Sequence, residues 1–322
     1  MGQLRRTGGV IILLEPPRLA GFVSGGFRYQ SEIARRLAAS GIGRLIVIAA
    51  ADLVQAVTML RQREPAARIV IDGLFATLSK KPLPLGAIAL LHMAPPSGWC
   101  LSPMPVITTA ATTARAVAAS ATSVAIVRPG LDECFAPRTQ VRSSAALRIV
   151  CVGTVSPLKG QAMLAAAILR SGVACELLLI GDVASHPDYV AQVRAAAGTL
   201  TLRLLHVLSP EAVAEAFATA DLAVSASRHE SFGMAVAEAV ACGVPVLAFA
   251  TGEIGSSVCD GENGWLLPVD ASEAQFERAV HDLLRAPARL ATARAHSMRP
   301  SLGSWDAAAG EFARACALAQ LR

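Results

Sequence analysis

One stretch limits the folds open to this chain more than any other. Asp221-Leu222-Ala223-Val224-Ser225 reads as a buried strand, and a polar turn follows, Ser227-Arg228-His229-Glu230-Ser231. Met234 to Cys242 then reads as a helix, closed by Gly243 with Pro245 just beyond, and Val244 to Phe249 opens another apolar strand. Glycine suits the left-handed cap that ends a helix, and proline cannot continue one. Strand, turn, helix and strand in this order describe parallel α/β architecture.

Two carboxylates mark this stretch, Glu230 in the turn and Glu238 on an otherwise apolar helix. A carboxylate on a buried face needs a charge partner or hydrogen bonds. The amides of Phe232, Gly233 and Met234 fall at the helix start, where free N–H groups and the helix dipole favour anions. Carboxylates that accept hydroxyls, beside amides that meet anionic oxygens, suit a polyhydroxylated, phosphorylated ligand. A capping glutamate and a solvated helix glutamate are the plainer alternative.

The spacing from Glu230 to Glu238, with Phe232-Gly233 after the first glutamate and a small-residue helix running to Gly243-Val244-Pro245-Val246, resembles the signature of the family 4 glycosyltransferases. Thr251-Gly252-Glu253 and the segment Asp260 to Pro268 look like that family's pattern too. The resemblance implies the GT-B architecture: two doubly wound Rossmann-like α/β domains facing across a cleft. It also implies a retaining transfer of sugar from a nucleotide diphosphate sugar, of UDP or GDP type. Glu230 would then bind sugar hydroxyls, with Ser231, Phe232, Gly233 and Met234 around the donor, and Glu238 would bind the ribose.

The remaining elements fit two such domains, a size that 322 residues accommodate. Val10–Leu14 reads as a strand, followed by Gly25-Gly26 and a helix from Phe27 to Ser40, then a strand at Leu45–Ala49. A glycine pair before a helix lets a ligand approach the backbone, and by resemblance Gly25 and Gly26 lie near the donor phosphates. Arg68–Asp72, Gly86–His92, Val106–Thr108 and Val124–Val127 complete the first sheet. His92 falls at the carboxyl end of its strand, where open α/β sheets bind ligands, and resemblance places it near the transferred sugar. The expected divisions are a first domain over 1–135, a linker over 136–146, a donor domain over 147–303 and a terminal helix over 304–322 that packs back on the first domain.

Leu147–Gly153 opens the second domain, and Lys159 precedes its first helix, Gln161–Arg170. A cation at a helix start is poorly placed unless an anion joins it. Lys159 is also the only lysine after Lys81, in a chain that otherwise uses arginine. It reads as a point charge for a diphosphate. The family usually has an arginine where this chain has Thr154, so Thr154 or Arg228 is expected to take over that phosphate contact. Gly181, closing the strand at Glu176–Ile180, falls near the nucleotide base by resemblance.

Composition removes other classes. Hydrophobic residues make up 53% and charged residues 16%, which excludes a disordered chain. Seven cysteines without Cys-x-x-Cys spacing argue for reduced thiols, with no zinc site or disulfide framework. No metal and no cofactor beyond the donor are expected, since no Asp-x-Asp motif occurs. Residues 1–135 carry fourteen Lys/Arg against seven Asp/Glu, while 136–322 carry fifteen against seventeen. The basic first half suits an anionic or membrane-proximal acceptor, but no basic run exceeds two residues, so nucleic acid is not an expected partner. Pro82–Ala114 lacks charges yet is broken by Pro84, Pro95, Pro96, Pro103 and Pro105, which argues against a spanning helix. These features lead us to expect a cytoplasmic protein, peripheral at the inner membrane face. Neither half has Gly-x-Gly-x-x-Gly after a strand, which disfavours a Rossmann oxidoreductase. A sugar-nucleotide epimerase on the same architecture and a scaffold or regulatory subunit that has lost turnover remain as alternatives.

Overall fold

The computed structural model describes residues 9–18, 24–79, 81–95, 103–138, 146–296 and 302–319. Two compact units emerge, divided at Gly130/Leu131, and the chain rejoins the first unit from Leu302 onward. The basic start at Met1–Arg6, residues 96–102 of the proline-rich segment and residues 139–145 of the expected linker lie outside the described residues.

The first unit alternates strands and helices. In chain order it contains β1 (Ile11–Glu15), α1 (Gly25–Ala39), β2 (Gly43–Val47), α2 (Leu53–Arg63), β3 (Arg68–Asp72), α3 (Leu74–Ser79), β4 (Ile88–Leu91), β5 (Pro105–Thr108), α4 (Ala111–Val117) and β6 (Ser123–Ile126). All pairings are parallel, in the order β2-β1-β3-β4-β5-β6. Strand segments such as Ile11-Ile12-Leu13-Leu14 and Ile69-Val70-Ile71 are continuous apolar runs because helices cover both faces of the sheet. Two helices in this unit, α2 and α3, were not read from the sequence. Their apolar residues are split, with Leu53, Val57, Phe75 and Ala76 buried while Val54 and Leu78 stay exposed, so neither shows a clean stripe.

The second unit contains β7 (Leu147–Val152), α5 (Gln161–Ser171), β8 (Cys175–Ile180), α6 (Pro187–Ala197), β9 (Thr201–Leu205), α7 (Pro210–Ala218), β10 (Leu222–Ser225), α8 (Met234–Ala241), β11 (Val246–Phe249), β12 (Gly264–Leu267), α9 (Glu273–Leu284) and α10 (Pro287–Ala295). Its sheet is also all parallel, ordered β12-β11-β10-β7-β8-β9. Counted from β7, this is the doubly wound order whose reversal falls between the first and fourth strands, here β7 and β10. Serine caps start several helices: Ser209 accepts from the Ala212 amide, and Ser272 forms a reciprocal capping box with Gln275.

Phe135 differs from its expected place at the end of the first domain. It is buried in the second unit's core, in one apolar cluster with Leu178, Ile180, Val236 and Val240, because burying an aromatic ring there is favourable. The chain's last helix, α11 (Trp305–Leu318), is capped by Ser304 and packs on α1. Trp305 and Phe312 are fully buried and meet the Tyr29 ring, and Arg36 pairs with Asp306. Burying two such rings contributes about 2–3 kcal/mol each. The Tyr29 hydroxyl donates to the Val127 carbonyl at 3.1 Å, so α1 is tied to both the end of β6 and α11.

Candidate functional site

The second unit brings together two of the residues that the sequence marks most strongly. The loop after β7 carries a short 3₁₀ turn, Pro157–Lys159, then Gly160 with φ +68°, and α5 begins at Gln161. A Cβ on Gly160 would stand 2.5 Å from the Ala226 carbonyl oxygen, so this glycine lets the loop press against the end of β10. That approach sets Lys159 beside the turn following β10. Its ammonium is ion-paired with Glu230 Oε1. The anion that a cation at this helix start requires is therefore supplied by Glu230. The pair lies where the strand order reverses, beyond the carboxyl ends of β7 and β10.

Two neighbours brace the Glu230 turn, and a residue of the turn itself, Arg228, anchors it further. The Thr251 hydroxyl donates to the Arg228 carbonyl at 3.1 Å, and the Glu253 amide donates to the Ser231 carbonyl at 2.9 Å. Arg228 itself donates to the carbonyls of Val269 and Ala271 and lies over the Phe249 ring, 4.2 Å from its centroid. Its expected role is a phosphate contact; in this fold the guanidinium engages two backbone acceptors and an aromatic face, and it fastens the Glu230 turn to the segment before α9.

Phe232 and Gly233 are buried ahead of α8, and Met234 begins it. No side chain caps α8 and its first turn holds no acidic residue, so its N-terminal end keeps its positive character. Glu238, in the second turn, is 3% exposed. Its charge adds to burial in raising the Cys242 thiol to about 12, and it contributes to the raised Cys134 thiol. Gly153 and Gly181 meet at the ends of β7 and β8, where the Gly153 amide donates to the Ile180 carbonyl at 2.8 Å and the Val155 amide to the Asp182 carbonyl. Thr154 lies in this zipped pair of loops and its carbonyl accepts from Gln161 Nε2. The Asp182 carboxylate accepts from the Ala184 amide and the Ser185 hydroxyl. Burial works to raise its pKa, but these hydrogen bonds prevail and lower it.

In the first unit, Gly25 and Gly26 form the first residues of α1, where the sequence reading placed them ahead of a helix starting at Phe27. Gly26 faces His92, which follows β4, and a Cβ on Gly26 would lie 2.9 Å from His92 Cδ2. The imidazole meets the Tyr29 ring edge-on, with centroids 5.4 Å apart. Two residues that the sequence reading missed complete this cluster. Gln30 Nε2 donates to Asp72 Oδ2 at 2.5 Å and lies 3.5 Å from His92 Nε2. The available signals were an amide on the buried stripe of α1 and a carboxylate closing an otherwise apolar strand. Burial pulls the His92 pKa below its ordinary value, and the Asp72 charge opposes that pull.

Among the described residues, no three His, Cys, Asp or Glu side chains converge as metal ligands, and Cys134, Cys151, Cys175, Cys242, Cys259 and Cys316 are free thiols. No helix of the described residues is long and apolar enough to cross a membrane.

The whole arrangement has solved counterparts. The Anabaena Alr3699/HepE structure in complex with UDP and glucose aligns with a TM-score of 0.70 at 17% identity, covering 95% of this chain and 99% of that one. Sucrose-phosphate synthase (tll1590) from Thermosynechococcus elongatus aligns at 0.73 and 17% identity, covering 95% and 98%. The fold is GT-B. Identities this low carry the GT-B architecture alone.

Sequence likeness adds detail, its family match falling in the second unit. Residues 146–286 match the family described as Glycosyl transferases group 1. The D-inositol 3-phosphate glycosyltransferase of Rhodococcus erythropolis (strain PR4 / NBRC 100887) is 32% identical over 207 residues, which are 58% of this chain and 47% of the relative. The chain thus spans about half the length of the curated relatives it matches. The matched family segment contains the Lys159–Glu230 pair and the GT-B switch point on which it sits.

Proposed function

We propose that this chain is a retaining glycosyltransferase that moves a sugar from a nucleoside diphosphate sugar to an acceptor without a metal. The observation that carries this reading is the Lys159–Glu230 pair at the strand-order reversal of the second sheet, inside the segment that matches group 1 glycosyl transferases. Doubly wound sheets bind ligands at that point. When a sugar leaves a nucleotide, negative charge builds on the departing diphosphate. A lysine ammonium has three donors; Glu230 takes one, and the others are left for phosphate oxygens. The uncapped start of α8 offers its amides to the same charge. Glu230 accepts from sugar hydroxyls and Glu238 from the ribose, as the family resemblance implies. By the same resemblance His92 and the start of α1 at Gly25 and Gly26 attend the transferred sugar and the donor phosphates. The acceptor is anionic or lies at a membrane surface, in keeping with the basic first half of the chain.

The test is nucleotide release from a panel of UDP-, GDP- and ADP-sugars, each offered acceptors that include inositol phosphates, the substrate class in the relatives' names. One donor is expected to turn over with retained anomeric configuration in the presence of a chelator. Lys159→Ala is expected to lower the rate by about 10²–10³, the usual loss for one group that stabilises transition-state charge. If calorimetry detects no binding of any sugar nucleotide, the enzyme reading fails and a scaffold on the same fold replaces it.

A further inference from the structure

The cluster at the carboxyl ends of β3 and β4 constrains where a proton can sit. Gln30 is 1% exposed and Asp72 is 5% exposed. One Asp72 oxygen accepts from the Leu74 amide at 2.8 Å, and the other lies 2.5 Å from Gln30 Nε2. An ionised carboxylate only accepts hydrogen bonds. The Gln30 amide must therefore turn its NH₂ group toward Asp72, since a carbonyl oxygen there would repel the carboxylate. The Gln30 Oε1 atom is buried with no hydrogen-bond partner, so Asp72 alone sets the amide's orientation. The same nitrogen lies 3.5 Å from His92 Nε2, within reach of its second hydrogen. A proton on Nε2 would oppose it.

We propose that Gln30 is a positioning residue that holds His92 as the neutral Nδ1–H tautomer, with Nε2 a bare acceptor. Tyr29, edge-on to the ring, and Gly26, whose lack of a side chain makes room for it, keep the imidazole in that plane. Among the described residues, the groups facing His92 are Gly26, Tyr29 and Gln30 from α1 and Asp72 from the end of β3. Asp72 is the one carboxylate among them, and Gln30 stands between it and the ring. With Nε2 engaged, the remaining polar atom is Nδ1–H, a donor. His92 thus meets a ligand by giving a hydrogen bond to an oxygen, such as a sugar hydroxyl, and does not act as a base. That last step rests on the glycosyltransferase reading; the tautomer itself does not.

The full chain labelled with ¹⁵N-histidine tests this directly. It has six histidines, and His92→Gln assigns the signal. At pH 7.5 the expected pattern is a protonated Nδ1 and an unprotonated Nε2. Gln30→Glu replaces the donor by an acceptor and is expected to move the proton to Nε2 and raise the His92 titration midpoint by about one unit, tenfold in proton affinity. Gln30→Met removes the donor without adding charge and is expected to release the ring to the Nε2–H form. Thermal melting reports that each variant folds. An Nε2–H ring in the unaltered protein overturns the proposal, with no variant needed. So does a ring that both substitutions leave unchanged in folded protein. No sugar donor enters the measurement, so a failed turnover panel leaves this result standing.

Discussion

Gly160 and Gly172 flank α5 with the same backbone angle, φ +68°, and differ in what surrounds them. A Cβ on Gly172 would meet nothing within 4 Å, whereas one on Gly160 would stand 2.5 Å from the Ala226 carbonyl oxygen. Alanine in the left-handed region costs about 1–2 kcal/mol, partly offset by roughly 0.4–1 kcal/mol from a stiffer unfolded chain. Gly172→Ala should therefore destabilise by about 1 kcal/mol. Gly160→Ala adds an overlap with backbone that cannot rotate away, and such overpacking costs about 1–3 kcal/mol more. For a unit of this size each kcal/mol is worth about 2–4 °C in Tm. Calorimetric melting should thus place Gly160→Ala roughly 5 °C below Gly172→Ala. The displaced turn carries Lys159, so nucleotide affinity should fall in Gly160→Ala and stay unchanged in Gly172→Ala. Equal melting of the two variants would refute the claim that the β7 loop presses on β10, and with it our account of how Lys159 reaches Glu230.

Other outcomes separate positioning from binding. Arg228→Ala should destabilise by about 2–3 kcal/mol through loss of two charge-assisted hydrogen bonds and an aromatic contact, seen as a lower melting temperature, and Arg228→Lys should recover little of it. Unchanged melting with lost nucleotide affinity would instead make Arg228 a phosphate ligand. Burial, the largest influence, pushes the Cys151 thiol up to about 12, with Lys159 pulling it down and Glu230 pushing it up. Iodoacetamide at pH 8 should spare Cys151 until the protein is denatured, as peptide mass mapping would show. His92 has a folded pKa below its unfolded value near 6.5, so the unfolded state binds the proton first as pH falls. Its contribution to stability is complete above about pH 6.5 and declines below it, and His92→Gln should flatten that acid limb in pH-dependent melting.

Local sequence patterns marked the secondary framework and the strongest candidate site residues. Apolar runs that close on glycine and a helix that ends in Gly243 with Pro245 beyond are signals read within one turn or strand. The glutamates at 230 and 238 stood out because carboxylates in apolar surroundings are costly. Lys159 stood out because cations disfavour helix starts. Helices α2 and α3 were hidden because their apolar residues divide between buried and exposed positions.

What the tertiary structure alone decided is which partners those groups have. Seventy-one residues separate Lys159 from Glu230, and only the parallel pairing of β7 with β10 sets their loops side by side. Arg228 looked free in the sequence because its acceptors, the carbonyls of Val269 and Ala271, belong to a segment more than forty residues later. Gln30, Asp72 and His92 come from three separate elements, and each is ordinary in its own local context. Spacing along a chain records what each residue needs; pairing between distant strands determines what it meets, because that pairing is set by the burial of whole sheets and not by any one side chain.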